Sequence, residues 1–349
     1  MKKFIAIILA LVMVFSLVAC GGGGGADDAS GGKQLKVLGT DEIKIAYIPM
    51  STAGVTNMIV KLAFDDTIDA YKDTVTVDYF DPAYDTEKMI TMINDAVTQG
   101  YDCIITEVMD PVSLSKPIEE AEKAGVPVIT LNSGVAAVHT LHLRGVDYLS
   151  GWKAAEVLAG QMGADEAHNV VIIDFPTVML SNALQSAGFM DYMKEHTNWV
   201  LLEQQCIDNM SQEGANTAVR DLLTKYDDID IIFNVLDDLT AGTIQAVIAA
   251  GRQDTVTVFG NYGNPSTFED LTSEDGILAG LCFSDYYTEY STAMSYAMYF
   301  AVTGITAYSE SYVATPEIAF SVFPVTRETA QLYRTLSRWD LAVEYAANN

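Results

Sequence analysis

The chain has 349 residues, 50% of them hydrophobic, with 47 acidic side chains against 19 basic ones and a formal net charge of -28. That apolar content supports one large core or two mid-sized ones and excludes a disordered chain. A phosphate backbone or an anionic membrane surface would be repelled, which argues against nucleic-acid binding and restricts any membrane tie to a covalent or inserted one.

Lys2 and Lys3 precede an uncharged apolar run over 4–19, the pattern of a secretory signal. The run falls short of the ~20 residues that a membrane-spanning helix needs. It ends Leu17-Val18-Ala19-Cys20 and continues into five glycines. Small residues before a cysteine at that place resemble the processing site of bacterial lipoproteins, which implies that Cys20 becomes the lipidated first residue of the mature chain. A plain secreted protein with an incidental Cys20 is the competing reading. Residues 1–19 are thus assigned to a signal peptide and 20–41 to a lipidated, glycine-rich tether, with the fold beginning near Glu42.

From there strands and helices alternate. Strands are expected at 43–49, 75–80, 103–106 and 127–131, with helices at 55–71, across the stripe Met89, Met92, Ile93, Ala96 and Val97, and at 112–124. Turn residues mark the joints, as in Gln99-Gly100, Asp110-Pro111 and Gly125-Val126-Pro127. After residues 140–144 the alternation restarts with a helix at 147–162. Strands follow at 170–175, 200–204, 229–235, 256–260 and 277–283. Between them lie helices at 182–195, along the face Ala215, Ala218, Val219, Leu222, Leu223 and Tyr226, and at 239–250. A helix at 286–302 and a strand at 318–323 close the pattern. Such alternation predicts an α/β protein with two doubly wound parallel-sheet domains and a ligand cleft between them, beyond the carboxyl ends of the strands. Cys103, Cys206 and Cys282 read as buried thiols, since an odd number cannot all pair and no Cys-x-x-Cys or Cys/His cluster occurs.

Four stretches resemble the periplasmic binding proteins of the ribose and galactose type, the substrate-binding components of sugar importers. They are Ile45-Ala46-Tyr47-Ile48-Pro49-Met50-Ser51-Thr52; the run from Ala121 through Gly125-Val126-Pro127 to Asn132; Asp147 with Gly151 and Lys153; and Pro324-Val325-Thr326-Arg327-Glu328-Thr329. The similarity covers residues 42–329. It implies a hinge that the chain crosses three times, near Gly145, near Asp285 and over 315–319. Residues 42–145 with 286–315 would form the first domain, 146–285 with 316–329 the second, and 330–349 a C-terminal tail.

Sugar sites of that family hold hydroxyls with Asp, Asn and Arg side chains and stack aromatic rings on the sugar face, as the strength of charged hydrogen bonds explains. This chain departs from the pattern. Asn132-Ser133 stands where an Asp-Arg pair is common, and Ser181-Asn182-Ala183 where an Arg opens the second domain's binding helix. Met210 stands at the aromatic wall, Asn57 and Met58 replace stacking aromatics, and Asn261-Tyr262 follows the ninth strand. The substitutions suggest a ligand with fewer hydroxyls, or one held by amides and neutral groups. Helix capping is the competing role for Ser51, Asn182 and Ser211. Asp81, Asp110, Asp237 and Asp285 follow apolar strands; Asp237 and Asp285 are the stronger candidates as ligand acceptors, while Asp110 reads as a cap. The expected ligand-binding set is Ser51, Thr52, Asn57, Met58, Asp81, Asn132, Ser133, Asn182, Met210, Asp237, Asn261, Tyr262 and Asp285, with no metal ligand, cofactor or catalytic residue.

No Gly-x-Ser-x-Gly elbow, phosphate-cradling loop or His-Glu-x-x-His occurs, and His139 and His142, three residues apart, would point to opposite faces of a strand. The expectation is therefore a monomeric, non-enzymatic, extracytoplasmic lipoprotein that captures a sugar-like solute for the membrane permease of an ABC importer. The alternative is a sensor presenting a nucleoside, deoxysugar or furanose to a membrane receptor.

Overall fold

A computed structural model describes residues 35–53, 55–175, 180–207 and 211–348. Cys20 with the segment before it and Met210 lie outside the described residues.

The short apolar runs form two six-stranded sheets. The first contains β1 (Ile43–Ile48), β2 (Val75–Tyr79), β3 (Cys103–Glu107), β4 (Val128–Leu131), β5 (Leu141–Gly145) and β11 (Glu317–Phe320), in the order β11-β5-β4-β3-β1-β2. Every pairing in it is parallel. The second contains β6 (Asn169–Asp174), β7 (Val200–Cys206), β8 (Ile231–Asn234), β9 (Thr257–Tyr262), β10 (Leu278–Ser284) and β12 (Val322–Thr326), in the order β12-β10-β9-β8-β6-β7. Side chains alternate across each strand. In β1, Ile45 and Tyr47 enter one apolar cluster, and Ala46 and Ile48 enter another on the opposite face. Burial on both faces is why these strands read as continuous apolar runs.

Helices α1 (Thr56–Ile68), α2 (Thr86–Thr98) and α3 (Pro111–Lys123) cover the first sheet, and α4 (Asp147–Met162), α5 (Leu180–His196), α6 (Gln212–Lys225), α7 (Asp237–Ala249) and α8 (Pro265–Thr272) belong to the second. The chain then returns: α9 (Tyr286–Thr303) packs on α1, β1 and β3. Local chemistry sets the helix starts. Asp85, Asp110 and Ser211 cap α2, α3 and α6, and Asn264 forms a capping box ahead of Pro265. Gly304, at φ 62°, ends α9 in the left-handed region. Buried Glu122 ties the first lobe together, accepting from the N–H groups of Val128, Thr140 and Ala307 and from the Thr140 hydroxyl at 2.7–2.8 Å.

Several sequence expectations need correction. The expected strand at 318–323 is two strands in different sheets. Residues 317–320 pair with β5, so they belong to the first lobe and not to the second, and the chain crosses at Ser321. After the crossing β12 runs antiparallel to β10, which an edge strand containing Pro324 permits. The expected tail is two helices, α10 (Ala330–Ser337) and α11 (Trp339–Asn348), with Trp339 only 1% exposed in the second lobe's core. Helix α8 has no counterpart in the expected pattern. Cys103 and Cys282 are buried, burial pushing the Cys282 thiol up to about 12, but Cys206 is exposed at the end of an edge strand.

Candidate functional site

The carboxyl ends of the parallel strands bring polar side chains together in the second lobe. Asp147 opens α4, Gln185 lies on α5, and Asn261 and Tyr262 end β9. The Asn261 amide donates to Gln185 Oε1 at 2.7 Å and its Oδ1 accepts from the Ser150 hydroxyl at 2.8 Å. The Gln185 amide bonds the Tyr262 hydroxyl, and both reach Asp147 Oδ1 at 3.4 Å. Asn261 and Gln185 are 1% and 0% exposed, so these bonds satisfy groups that water does not reach. Burial raises the Asp147 carboxyl, opposed by Gln185, Tyr262 and Arg144. Tyr262 holds φ 64°, a left-handed backbone that turns its ring onto Tyr286 of α9, with centroids 5.7 Å apart and planes 20° from parallel. That stack joins the two lobes.

The first lobe builds its wall differently. Glu107, the last residue of β3, accepts from the Tyr47 hydroxyl at 2.7 Å, the Met50 N–H at 3.0 Å and the Tyr290 hydroxyl at 2.5 Å. It thereby pins the loop after β1 to the base of α9. Asp81 accepts from the N–H groups of Thr52 and Ala83, and bonding with the Thr52 side chain holds its carboxyl below the ordinary value. Asn57 donates to the Ser51 carbonyl at 2.9 Å.

The expected residues fall into three groups. Ser51, Thr52, Asn57 and Asp81 are together in the first-lobe loop, bonded to one another. Asn261, Tyr262 and Asp237 stand at the second lobe's strand ends; Asp237 is 8% exposed and accepts from the Asp238 N–H at 3.0 Å. Asn182 is 1% exposed, and its amide nitrogen has no hydrogen-bond partner among the described residues. Asn132 sits just past β4 at φ 66°, beside buried Ser133. The third group has structural roles. Met58 packs into the apolar cluster that holds Trp339, and Asp285 is the N-cap of α9, bonded to the Thr288 N–H at 3.2 Å and hydroxyl at 2.6 Å. Asp285 is thus the cap of α9, and Asp110 caps α3 as expected.

Sequence reading missed Glu107, Gln185, Tyr286 and Glu289. Glu107 ends a strand, and the strand-end rule that singled out Asp81 and Asp237 would have found it. Glu289 lies in the first turn of α9, 5% exposed, and burial followed by the charges of Asp147, Glu107 and Asp285 raises its carboxyl to about 8. The expectation for His139 and His142 also fails: both rings bond Thr130 Oγ1, at 2.7 and 2.9 Å, because His139 precedes β5 and is not in extended pairing. A separate depression of about 670 Å³ lies on the edge strand β7 and α6, lined by Gln205, Glu213 and Lys225, away from this network.

The family described as periplasmic binding protein domain matches residues 45–304. The ribose import binding protein of Bacillus subtilis is 24% identical over 276 residues, covering 78% of this chain and 85% of that protein. An ABC transporter solute-binding protein from Bacillus halodurans, solved with myo-inositol, shares the fold at a TM-score of 0.75 and 19% identity, over 85% of this chain and 99% of that one. A protein from Mycobacterium smegmatis in complex with β-D-fucofuranose gives 0.73 and 17%, over 86% and 98%.

Proposed function

The chain belongs to the periplasmic binding protein family, and from that premise we propose that it captures a small, polar, sugar-like solute between its lobes and delivers it to an ABC importer. The carrying observation is the closed polar network Asp147–Gln185–Tyr262–Asn261 at the strand ends, joined to the opposite lobe by the Tyr262–Tyr286 stack. A ligand that touches both walls draws the lobes together, since only differential contact shifts such an equilibrium. The backbone joints are Gly145, Asp285 and Ser321, where the chain leaves one sheet for the other. The names of its relatives support a saccharide or polyol: a ribose import binding protein, and solved proteins holding myo-inositol and fucofuranose.

We further propose a monomer held extracytoplasmically by a lipid on Cys20, supported by the signal-like segment before it. Release of a Cys20→Ala chain from membrane fractions is the expected result; an unmodified, soluble wild-type chain would overturn the anchor. The solute reading is tested by thermal shift across sugars, polyols, nucleosides and amino acids. A true ligand at 100 times its dissociation constant stabilises by about 2.7 kcal/mol. Stabilisation by amino acids alone would overturn it.

A further inference from the structure

The cleft carries more negative charge than a neutral solute calls for. Glu289, in the first turn of α9, is 5% exposed, and its carboxylate neither accepts a hydrogen bond nor meets a cation among the described residues. Across the cleft, Asp237 opens α7 and is 8% exposed, with one N–H for company. Burial first, then the charges of Asp237, Tyr262 and Glu289, drive the Tyr286 hydroxyl well upward, so both carboxylates act on the same ring. The groups facing Glu289 are Asp147, Glu107 and Asp285, all acidic, and the rings of Tyr262, Tyr286 and Tyr290.

An isolated buried carboxylate is strongly disfavoured unless paired. Among the described residues no basic side chain pairs with Glu289 or Asp237, whose one bond is to the Asp238 N–H, so the fold supplies no counter-charge there. A favourable helix dipole would reward an acid in the first turn of α9, but it gives no reason to bury one. Burial first, and then neighbouring acids, push Glu289 up to about 8 and Asp237 to about 7, in keeping with the lack of a counter-charge at either. A protonated amine supplies it. Its three donors suit carboxylates approaching from two sides, and the stacked Tyr262 and Tyr286 offer π-faces that also attract a cation.

We propose that the cleft is built for a solute that carries a protonated amine beside its hydroxyls, an amino sugar or amino polyol, with Glu289 and Asp237 as the partners of the ammonium. This rests on the solute-capture reading above and narrows its ligand class.

Matched pairs test it by titration calorimetry at neutral pH: D-glucosamine against D-glucose, D-galactosamine against D-galactose, and 1-amino-1-deoxy-D-glucitol against D-glucitol. In at least one pair the amine should bind more than about tenfold tighter than its neutral partner, as expected for a desolvated charge pair. Glu289→Gln should remove most of that preference, and Asp237→Asn should act in the same direction, so that one well-folded variant suffices. Equal or tighter binding of the neutral member in every pair that binds overturns the amine proposal and leaves solute capture standing. No binding by any member overturns the amine proposal, while solute capture is decided separately by the thermal-shift screen. A preference for amines that survives both substitutions overturns the assignment to these carboxylates.

Discussion

Glu289 and Asp237 make the ligand-free protein sensitive to pH in a defined direction. Their ordinary values are 4.5 and 3.8, and the folded chain raises them to about 8 and about 7. A group that holds its proton more tightly when folded contributes stability that is whole below its unfolded pKa. That contribution is lost as pH rises through the folded value. The thermal midpoint of the ligand-free protein should therefore fall between about pH 5 and pH 8, and Glu289→Gln should flatten the fall. A profile of the variant parallel to the wild type would mean that Glu289 is not held protonated in the fold. The residue scale is also where the sequence was least legible. Gly151 stands out in the sequence only through the resemblance, yet a Cβ there would stand 1.8 Å from the Gln185 carbonyl, and one at Gly188 would stand 2.0 Å from that of Tyr148. These two glycines let α4 and α5 touch backbone to backbone, and that contact sets Gln185 against Tyr262. Nothing in the spacing of the two glycines along the chain announces it.

At the scale of elements, the alternation was legible because buried parallel strands are apolar runs and the helices carry clear stripes, such as Met89, Ile93 and Ala96 on α2. The end of the chain was not. The run 317–326 is nearly continuous in hydrophobicity, and the crossing at Ser321 takes a single residue, too short to leave a turn signal. Residues 330–348 looked like a tail because α10 is only eight residues long and exposes Leu332 and Leu336. The informative residue there is Trp339, whose indole N–H donates to the Gly263 carbonyl at 2.9 Å inside the second lobe. Gly263 follows Tyr262, so the indole braces the turn that aims the site's tyrosine. Trp339→Ala should cost ~3–5 kcal/mol in urea denaturation, the usual range for emptying a buried aromatic site. A loss below about 1 kcal/mol would show the C-terminal helices to be dispensable.

Over the whole molecule, the same C-terminal segment links both lobes. Helix α10 packs on α8 of the second lobe, while α11 lies against α1 of the first. Between the helices Arg338 takes φ 60°, and its guanidinium lies 3.8 Å above the Tyr287 ring and 3.9 Å from Asp66. Farther along, the Tyr345 hydroxyl bonds Asp65. Any opening of the cleft must bend this link or release it from α1, so contacts far from the ligand bias the lobes toward each other. A cation–π contact of this kind contributes ~0.5–1 kcal/mol at an exposed site. If closure forms it and opening breaks it, Arg338→Ala should weaken ligand binding by roughly two- to fivefold without touching the cleft. Small-angle scattering should then show a larger radius for the variant than for the wild type without ligand, and equal radii once both are saturated. An unchanged affinity, with identical radii in both states, would mean that the link rides along with the hinge and leaves its equilibrium alone.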